Sequence, residues 1–380
     1  MKRALNNPFV TNGYEGDEYF CDRVEETREI TELLTNENNI ALISPRRLGK
    51  TDLIKHCFNQ ETIRAKYYTF VIDIYATASV TDFVNSLGRT ILETLKPLGR
   101  KVWEKFVNVI KSVRQEITID INNNPVWSLQ LANMPYPDIT LQEIFSFLEN
   151  ADKPCLVAID EFQQIMRYGD KNIEALLRTY MQQCNNAHFV FCGSRRHLMS
   201  EMFLSPARPF YQSVVIYNLD KIPFEKYCLF AQKQFADYGN RSIGHDTVEA
   251  VYNMFDGITA NLQRMMNIMF FKTSEGTECT TDMIEDAIDY YLRITSEVYE
   301  ALLRQMPEKQ RQLFLTIAVE GEVKNISSGK FTKKYHLVSP SSAVSAVKGL
   351  LERDFITEEN GTYRVYDKFF ALWLKRKGLL

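Results

Sequence analysis

The fold of this chain is decided by the stretch Ile40-Ala41-Leu42-Ile43-Ser44-Pro45-Arg46-Arg47-Leu48-Gly49-Lys50-Thr51. Its four leading apolar residues predict a buried strand, and its last three residues stand directly before an apolar run with helical spacing. A strand, a tight loop and a helix in this order are typical of a phosphate-binding loop, because backbone N–H groups and the helix N-terminus converge on the anion. Glycine usually opens such a loop, since the backbone turns sharply there, but this chain has Ser44.

The two residues at the end of this loop carry the chemistry expected of a nucleotide site. The Lys50 ammonium is predicted to reach the β- and γ-phosphate oxygens of ATP, and the Thr51 hydroxyl is predicted to bind Mg²⁺. An ordinary strand-to-helix turn with a chance Gly-Lys-Thr is the alternative interpretation. The strand before the loop and the helix after it favour phosphate binding.

A second predicted strand ends in two carboxylates, in the sequence Pro154-Cys155-Leu156-Val157-Ala158-Ile159-Asp160-Glu161-Phe162. Ligands of open α/β sheets sit beyond the carboxyl ends of the strands. We therefore predict that Asp160 holds Mg²⁺ through its water shell and that Glu161 polarises the attacking water. A strand followed by an acidic helix start is the structural alternative, because carboxylates suit helix N-termini.

Further polar residues follow the next predicted strand, which ends at Ser194. This serine would hydrogen-bond the γ-phosphate or the attacking water as a sensor, or it would serve as a helix N-cap. Arg195, Arg196 and Arg208 could contact phosphate in cis or in trans, as arginine fingers do, or could be ordinary ion-paired arginines. Arg178, in a helix before this strand, is a further candidate for action in trans.

The N-terminal segment before the first strand is rich in aromatic residues and lacks periodicity. Tyr14, Tyr19 and Phe20 lead into Asp22-Arg23 and then into a predicted acidic helix. Such a segment either folds over a purine base or covers the edge of the sheet. We therefore predict that the stretch from Tyr14 to Arg23 lies near adenine.

Composition narrows the class of protein. With 380 residues the chain has room for two or three domains, and a content of 45% hydrophobic and 24% charged residues is typical of a soluble globular protein. No apolar run is long enough to span a bilayer, and the first residues do not resemble a signal peptide. The seven cysteines are scattered without a CxxC pair, so we expect reduced, buried thiols in a cytoplasmic protein and neither disulfides nor a zinc site.

From Ile222 onward the sequence predicts helices, and its last part has a distinct signature. Residues 301–380 carry 14 Lys and Arg against 8 Asp and Glu, whereas the whole chain has a net charge of −3. This part is therefore suited to meet a polyanion. Helices are predicted at 309–319, at 332–335 and after Ser339-Pro340, and Asn360-Gly361 predicts a hairpin. Three helices and a hairpin are typical of a winged helix, whose third helix enters the DNA major groove.

Two kinds of partner fit the predicted winged helix. The residues that would meet DNA phosphates are Lys330, Lys333, Lys334, His336, Lys375, Arg376 and Lys377. The outward residues of the predicted third helix are Ser341, Ser342, Ser345 and Lys348. Against DNA, this helix lacks arginine, and Glu358 and Glu359 stand at the wing tip, where a phosphate contact would need lysine. Because winged helices also dock proteins, DNA and protein are both retained as partners through 301–380.

Together these residues resemble the archaeal-type ATPases of the P-loop superfamily, an AAA/STAND-like group found in archaea and in Bacteroides-like bacteria. The segment from Tyr19 to Glu26 is similar to the family's N-terminal nucleotide box, and Ser44–Thr51 is similar to its phosphate loop with paired arginines. Asp160-Glu161-Phe162 and Gly193-Ser194 occupy its metal and sensor positions. Gly257–Gln263 resembles the start of its lid helix, with Thr259 where proline is usual. The resemblance implies ATP binding, slow hydrolysis and a nucleotide-controlled lid.

We therefore predict an α/β fold with a P-loop NTPase parallel-sheet core (AAA-like) at 1–220, an α-helical lid domain at 221–300 and a winged-helix domain at 301–380. The predicted function is a Mg²⁺-dependent, ATP-hydrolysing switch that repositions the winged helix. It would act as a monomer or as a homo-oligomer. The alternative is a nucleotide-stabilised adaptor that docks DNA or protein with negligible turnover. The predicted catalytic residues are Lys50, Glu161 and Ser194, and the metal residues are Thr51 and Asp160. The predicted nucleotide-binding residues are Tyr14, Asp22, Arg23, Pro45, Arg46, Arg47, Leu48, Gly49, Lys50, Thr51 and Asp52.

Overall fold

The chain folds into two units, each held together by its own internal contacts. The structure is a computed structural model and describes residues 5–113, 117–120, 125–127, 134, 136–170, 172–326, 328–335, 339–359 and 361–379. We call Pro8–Phe230 together with Gly257–Arg264 the core unit. We call Met1–Asn7, Ala231–Asp256 and Met265–Leu380, as far as they are described, the helical unit. The three-domain division expected from the sequence stays a prediction.

A five-stranded parallel sheet forms the centre of the core unit. The strands of this unit are β1 (Ile40–Ile43), β2 (Tyr68–Asp73), β3 (Ile117–Ile119), β4 (Pro125–Trp127), β5 (Cys155–Asp160), β6 (Ala187–Gly193) and β7 (Val215–Asn218). The sheet has the order β2-β5-β6-β1-β7, and all neighbouring strands are parallel. Because β6 lies between β1 and β5, the carboxyl ends of these three strands meet at one edge.

Strand β5 shows why the sheet strands have continuous apolar sequences. Leu156 and Ala158 belong to one hydrophobic cluster of the core unit, and Val157 and Ile159 belong to a second cluster. Successive side chains of a strand point to opposite faces, so both faces of the sheet are covered. A parallel strand covered on both faces has an uninterrupted apolar sequence, as this one does.

Helices surround the sheet of the core unit. They are α1 (Val24–Thr35), α2 (Lys50–Asn59), α3 (Glu61–Arg64), α4 (Val80–Leu95), α5 (Arg100–Val109), α6 (Pro137–Glu149), α7 (Ile173–Gln183) and α8 (Arg196–Leu204). Residues 101–127, whose irregular sequence predicts an insertion packed on the sheet, contain most of α5 and the antiparallel pair β3–β4. Asn122, Asn123 and Asn124, which together with Pro125 predict a turn, lie outside the described residues. Among the residues that the structure describes, no helix is both long enough and apolar enough to cross a membrane.

The remaining elements lie mainly in the helical unit. Its helices are α9 (Phe224–Asp237), which begins in the core unit, α10 (His245–Met254), α11 (Thr259–Lys272), which also begins in the core unit, α12 (Met283–Arg304), α13 (Glu308–Glu320), α14 (Gly329–Lys334), α15 (Pro340–Glu352) and α16 (Lys368–Arg376). Its strands are β8 (Ser242–Ile243), β9 (Glu278–Cys279), β10 (Val323–Lys324), β11 (Ile356–Glu359) and β12 (Thr362–Val365). The sequence predicted only helices between residues 222 and 304, because β8 and β9 have two residues each and show no periodicity.

The winged helix is present, with one strand more than predicted. Its sheet has the order β10-β12-β11. Strand β10 lies within residues 321–330, for which the sequence predicts a loop; that prediction is wrong, because a strand of two residues is too short to show alternation. The predicted cap at Ser339 is confirmed, because its hydroxyl accepts a 3.1 Å hydrogen bond from the Ser342 N–H. The hairpin β11–β12 is confirmed as well, although Asn360 of its turn lies outside the described residues.

The winged helix and α12 share one aromatic core within the helical unit. Phe370 of α16 stacks on Tyr299 with ring centroids 4.6 Å apart, and Phe369 contacts Tyr291 at 4.4 Å. The Trp373 indole N–H donates to the Ser296 hydroxyl at 3.0 Å. These contacts hold α16 on the long helix that precedes the winged helix.

Candidate functional site

The loop between β1 and α2 has the backbone that its sequence predicts. Gly49 has a φ of +85°, a left-handed conformation that glycine adopts without strain. Helix α2 starts at the next residue, Lys50, and the Gly49 carbonyl accepts from the Leu53 N–H at 2.9 Å. Arg47 is also left-handed, with a φ of +68°. The loop therefore turns sharply immediately before a helix N-terminus.

The Lys50 ammonium is held by its own loop. Nζ donates to the Ser44 carbonyl, to the Ser44 hydroxyl and to the Pro45 carbonyl, each at 3.2 Å. The side chain is buried, and this burial lowers the pKa of Lys50, against the opposing effects of Cys192, Asp160 and Glu161. Ser44, at the position where glycine is usual, thus contributes a side-chain acceptor to the lysine.

Asp160, the last residue of β5, meets the start of α2. Its Oδ2 accepts a hydrogen bond from the Thr51 hydroxyl, and its Oδ1 accepts from the Glu161 N–H at 2.9 Å. The carboxylate is buried, and burial raises the pKa of Asp160 while the Thr51 hydrogen bond opposes this rise. A hydroxyl and a carboxylate that are 109 positions apart in the chain therefore converge.

The Glu161 carboxylate is held by a small polar network. Its Oε2 accepts from the Ser194 hydroxyl at 2.8 Å and from the Gln163 side-chain amide. Ser194 in turn accepts from Arg46 Nε at 2.9 Å, and Arg46 Nη2 lies 4.0 Å from Glu161 Oε2. The network joins the phosphate loop, the end of β5 and the residue after β6. Ser194 is not the N-cap of α8, a position held by Arg195.

Glycine at the end of β6 makes room for this network. A Cβ at Gly193 would lie 2.3 Å from Met199 Sδ and 2.6 Å from Gln163 Oε1. Any larger residue would therefore displace Gln163, one of the two hydrogen-bond donors that fix Glu161.

These groups line a cleft of about 270 Å³. The lining residues are Val10, Thr11, Asn12, Gly13, Tyr14, Glu15, Gly16, Tyr19, Phe20, Cys21, Arg23, Arg46, Arg47, Leu48, Gly49, Lys50, Thr51, Asp52, Asp160, Glu161, Ile222, Thr259, Ala260 and Gln263. All of them belong to the core unit. The cleft is thus formed by the N-terminal segment, the phosphate loop, the end of β5 and a later segment at the start of α11.

The N-terminal segment both lines the cleft and packs on α2. Phe20 stacks on the His56 ring with centroids 4.2 Å apart, and the Tyr14 hydroxyl lies 3.1 Å from His56 Nδ1. Tyr14 also donates to the Asp17 carboxylate. The two interpretations of this segment, as a cover and as part of a binding site, are therefore compatible.

Arg23 connects the N-terminal segment to the phosphate loop. Its guanidinium donates to the Leu48 carbonyl at 3.4 Å and to Glu26 at 2.6 Å. The residue is buried, 2% exposed, and left-handed with a φ of +64°. The neighbouring Asp22 forms an ion pair with Lys226 at 3.2 Å.

The start of α11 closes the cleft from a distant part of the chain. The Ala260 N–H donates to the Arg47 carbonyl at 3.1 Å. Thr259, Ala260 and Gln263 line the cleft, and residues at these spacings share one face of a helix. This segment therefore contacts the phosphate loop directly.

The proposed finger arginines lie outside the lining of the cleft. Arg208 is ion-paired within its own chain, to Glu174 at 3.1 Å and to Glu201 at 2.6 Å. Arg178 donates to Gln182 at 3.2 Å.

The cations of the winged helix are mostly paired inside the helical unit. Arg376 pairs with Glu285 and Asp289 of α12, and Lys377 pairs with Glu300 at 3.3 Å. Lys334 pairs with Glu320 at 2.8 Å. The side chains of Arg376, Lys377 and Lys334, which were expected to contact DNA phosphates, are therefore paired with carboxylates. His336 and the side chain of Lys330 lie outside the described residues.

The outward face of α15 carries little charge. Ser341, Val344, Ser345 and Lys348 are exposed, with the Val344 side chain 54% exposed. Lys348 lies 4.0 Å from Glu352. The face thus presents hydroxyls, one apolar side chain and one compensated cation.

Comparison with known proteins identifies the family. The family described as an ATPase domain predominantly from Archaea matches residues 20–265. The chain belongs to this archaeal ATPase family. A second family, described as a probable winged helix domain, matches residues 297–376. The family resemblance and the fold class predicted from the motifs are both confirmed.

One curated relative of this archaeal-type ATPase is an uncharacterised ATP-binding protein of Methanocaldococcus jannaschii. It is 28% identical over 178 residues, which make up 42% of this chain and 46% of that protein. The match thus spans less than half of the relative's length.

Three solved structures share the fold over nearly all of this chain. The Walker-type ATPase of Pyrococcus abyssi is 18% identical, with a TM-score of 0.66 and coverage of 97% of this chain and 99% of that one. The Aeropyrum pernix ORC2 protein, in ADPNP–ADP complexes, is 14% identical, with a TM-score of 0.56 and 98% coverage of both chains. The ORC1 protein of the same organism, in complex with DNA, is 10% identical, with a TM-score of 0.54 and 96% coverage of both. At these identities the likeness shows the fold alone.

Most of the residues predicted to form the ATPase site are brought together by the structure. Three of them do not line the cleft: Asp22 pairs with Lys226, Pro45 accepts from Lys50 through its carbonyl, and Ser194 donates to Glu161. The cleft residues that received no role from the sequence include Ile222 and Gln263. Gln163, two positions after Glu161, was also missed, and only its nearness to an acidic pair could have pointed to it.

Proposed function

We propose that this archaeal-type ATPase is a Mg²⁺-dependent molecular switch that binds and slowly hydrolyses ATP. The observation that carries the proposal is the contact between the Thr51 hydroxyl and the Asp160 carboxylate. It brings the helix N-terminus that follows the phosphate loop to the acidic end of β5. A nucleotide phosphate and a divalent cation need both groups in one place.

The residues present fit a magnesium ion. A hydroxyl and a carboxylate supply the oxygen ligands that Mg²⁺ prefers, and Mg²⁺ is usually bound by one or two such groups together with phosphates and water. Burial raises the pKa of Asp160, and a cation beside it would favour the charged carboxylate. When bound, Mg²⁺ neutralises charge on the phosphate oxygens. We assign its binding to Thr51 and Asp160.

The remaining polar groups of the cleft have complementary roles in the proposal. Lys50 and the N–H groups of Arg46–Asp52 bind the phosphates. Glu161 accepts the proton of the attacking water. The Ser194 hydroxyl and the Gln163 amide both donate to the Glu161 carboxylate and thereby orient it. Arg46 contacts Ser194 and lies beside Glu161, and we assign its cation to the side of the cleft that holds the γ-phosphate. The adenine of the nucleotide lies near the segment from Tyr14 to Arg23.

The switch part of the proposal rests on α11. This helix begins at the cleft, where the Ala260 N–H is bonded to the Arg47 carbonyl. It continues without interruption into the helical unit. Since α16 packs on α12 inside that unit, we propose that a change at the phosphate loop moves the lid helices and the winged helix together. This would be an AAA/STAND-type response.

Replacement of the proposed base tests the enzymatic part. We expect Glu161→Gln to lower steady-state ATP turnover by about 10²-fold or more, because general base catalysis contributes that much, while ATP affinity is retained. The matched control is Glu61→Gln, on an exposed residue of α3, which should hydrolyse ATP at the wild-type rate. If Glu161→Gln hydrolyses ATP as fast as the wild type, Glu161 is not the base.

The second candidate function is a nucleotide-stabilised docking adaptor with negligible turnover. The near-neutral outward face of α15, with Val344 exposed, favours a protein partner over DNA. The ORC1 neighbour was solved with DNA, so DNA binding is the version to test first. The full chain would be titrated with duplex DNA at several salt concentrations. Affinity that falls steeply with salt supports DNA binding, and affinity that is absent at every concentration removes that version.

Assembly into a homo-oligomer is the remaining part of the proposal. For Arg208 to act in trans, it would have to leave Glu174 and Glu201. Sedimentation with and without ATP tests this: a nucleotide-dependent increase in mass supports a trans role, and an unchanged monomer excludes it.

A further inference from the structure

One buried side-chain amide oxygen at the cleft has no hydrogen-bond partner among the residues that the structure describes. Gln263 is only 8% exposed, its Oε1 makes no hydrogen bond among the described residues, and its side chain lines the cleft. A buried polar group without a hydrogen bond is costly to the fold. Its retention at a cleft wall indicates a ligand that supplies the missing bond.

The position of Gln263 in α11 limits which part of a nucleotide it can reach. Ala260, three residues earlier, is bonded through its N–H to the Arg47 carbonyl in the phosphate loop. A rise of about 1.5 Å per residue sets Gln263 roughly 4.5 Å further along the same helix face. The amide is therefore about one helical turn away from the phosphate loop.

The chemistry of the amide favours an adenine base over phosphate and over guanine. An amide offers one acceptor and one donor side by side, whereas phosphate oxygens only accept. Adenine presents the matching pair, an N6 amino donor beside an N7 acceptor, and glutamine amides pair with these two groups. The N7 and O6 of guanine, on the corresponding edge, are both acceptors and leave the amide oxygen without a donor.

On the basis of the function proposed above, we infer that Gln263 is a specificity-determining residue that reads the adenine base. Its Oε1 accepts from the N6 amino group, and its Nε2 donates to a ring nitrogen. The same helix contacts the phosphate loop through the Ala260 N–H, so in this assignment α11 touches both the phosphate loop and the base. Adenine is thus selected by the element that the proposed switch moves.

The test replaces the amide by an apolar side chain of similar length. Calorimetric titrations would compare the affinities for ATP, GTP and 2′-deoxy-ATP in the wild type, in Gln263→Met and in Gln310→Met. Gln310 is the matched control, because its Oε1 also lacks a hydrogen bond and it lies in α13, outside the cleft lining. We expect the wild type to prefer ATP over GTP by at least tenfold. In Gln263→Met this preference should fall by about tenfold, since one bidentate amide–base pair contributes roughly 1–3 kcal/mol of discrimination.

Thermal melting without nucleotide separates base recognition from a structural role. Because Gln263 Oε1 has no partner to lose, the melting temperature of Gln263→Met should be unchanged or higher, while its shift on adding ATP should shrink. The shift for Gln310→Met should equal that of the wild type. If Gln263→Met does not fold, Gln263→Asn, whose amide is withdrawn by one methylene, should show the same loss of preference.

Several results would overturn the inference. These are a wild type without preference for ATP, a variant that keeps the wild-type preference, an equal loss of ATP and GTP affinity, or loss of discrimination against 2′-deoxy-ATP in place of GTP. Lys50→Ala distinguishes the two levels of the proposal. If Lys50→Ala binds ATP normally, the proposed function fails. If it loses all nucleotides while Gln263→Met keeps its base preference, only the assignment of Gln263 fails.

Discussion

The cleft and the winged helix use charged residues in opposite ways. In the cleft, Lys50 and the consecutive residues Asp160 and Glu161 converge from two segments on one shared volume, and two of the three are buried. In the winged helix, Arg376 and Lys377 lie at the surface and point at the carboxylates of α12. Charges of the first kind line a cleft, and charges of the second kind pair with carboxylates of a neighbouring helix. A basic segment in a sequence is therefore weak evidence for a polyanion partner until its internal pairs are known.

The largest effect should come from the aromatic core that joins the winged helix to α12. Phe370 is 2% exposed and contacts Tyr299 and Phe314 at centroid distances of 4.6 and 5.0 Å. We expect Phe370→Ala to lower the free energy of unfolding by about 3–5 kcal/mol, because it leaves a cavity. Denaturant unfolding measures this. Under folding conditions ATP affinity should be unchanged.

The control for Phe370→Ala is the same change at Phe271, whose side chain is 49% exposed. Phe271→Ala should cost less than about 1 kcal/mol. Equal losses for the two variants would contradict the view that the aromatic core fixes α16 on α12.

The second largest effect is expected on nucleotide binding at the cleft. Lys50→Ala should weaken ATP and ADP by about 100-fold, equivalent to roughly 2.7 kcal/mol, since a buried cation no longer faces the phosphates. The protein should stay folded, as judged by circular dichroism, because the acceptors Ser44 and Pro45 belong to the loop itself. Calorimetric titration measures the affinities.

Lys55→Ala is the matched control for Lys50→Ala. Lys55 lies on the same helix and is exposed, so its removal should change nucleotide affinity by less than twofold. A Lys50→Ala protein that binds ATP as tightly as this control would remove the lysine from the site.

The smallest effect should come from the surface ion pairs of α16. Arg376 contacts Glu285 and Asp289, but all three side chains are about a third exposed or more. We expect Arg376→Gln to lower the free energy of unfolding by at most about 1 kcal/mol, with the difference vanishing at high salt. Lys375→Gln, beside it, should have no effect, because Lys375 makes no ion pair among the described residues. A salt-independent loss in Arg376→Gln would show that packing of the arginine stem, not charge, is responsible.

The parts of the fold and of the site that could be predicted depend on local sequence patterns. The apolar runs of β1, β5 and β6 and the Gly49-Lys50-Thr51 turn depend on neighbours in the sequence, so periodicity and turn chemistry identified them. Their convergence followed from one topological rule, that ligands lie at the carboxyl ends of parallel strands. Strands of two residues, such as β10, carry no period and were missed.

What the sequence could not show depends on distant contacts. Gln263 lies at the cleft beside Ala260, which is bonded to Arg47, more than two hundred positions away. Similarly, Arg376 was predicted to contact phosphate, because nothing in the neighbouring sequence shows that α16 packs on α12 and pairs with its carboxylates. Local patterns name the residue types of a site, whereas tertiary packing decides which of them remain available.

The late position of Gly257–Arg264 in the chain has a consequence for synthesis. The first 230 residues contain the whole parallel sheet and the phosphate loop, but not the strip that bonds to the Arg47 carbonyl. On the ribosome, where domains fold from the N-terminus as they emerge, the sheet can form while this wall of the cleft is still inside the exit tunnel. A nascent chain would therefore complete the cleft only after translation has passed residue 264.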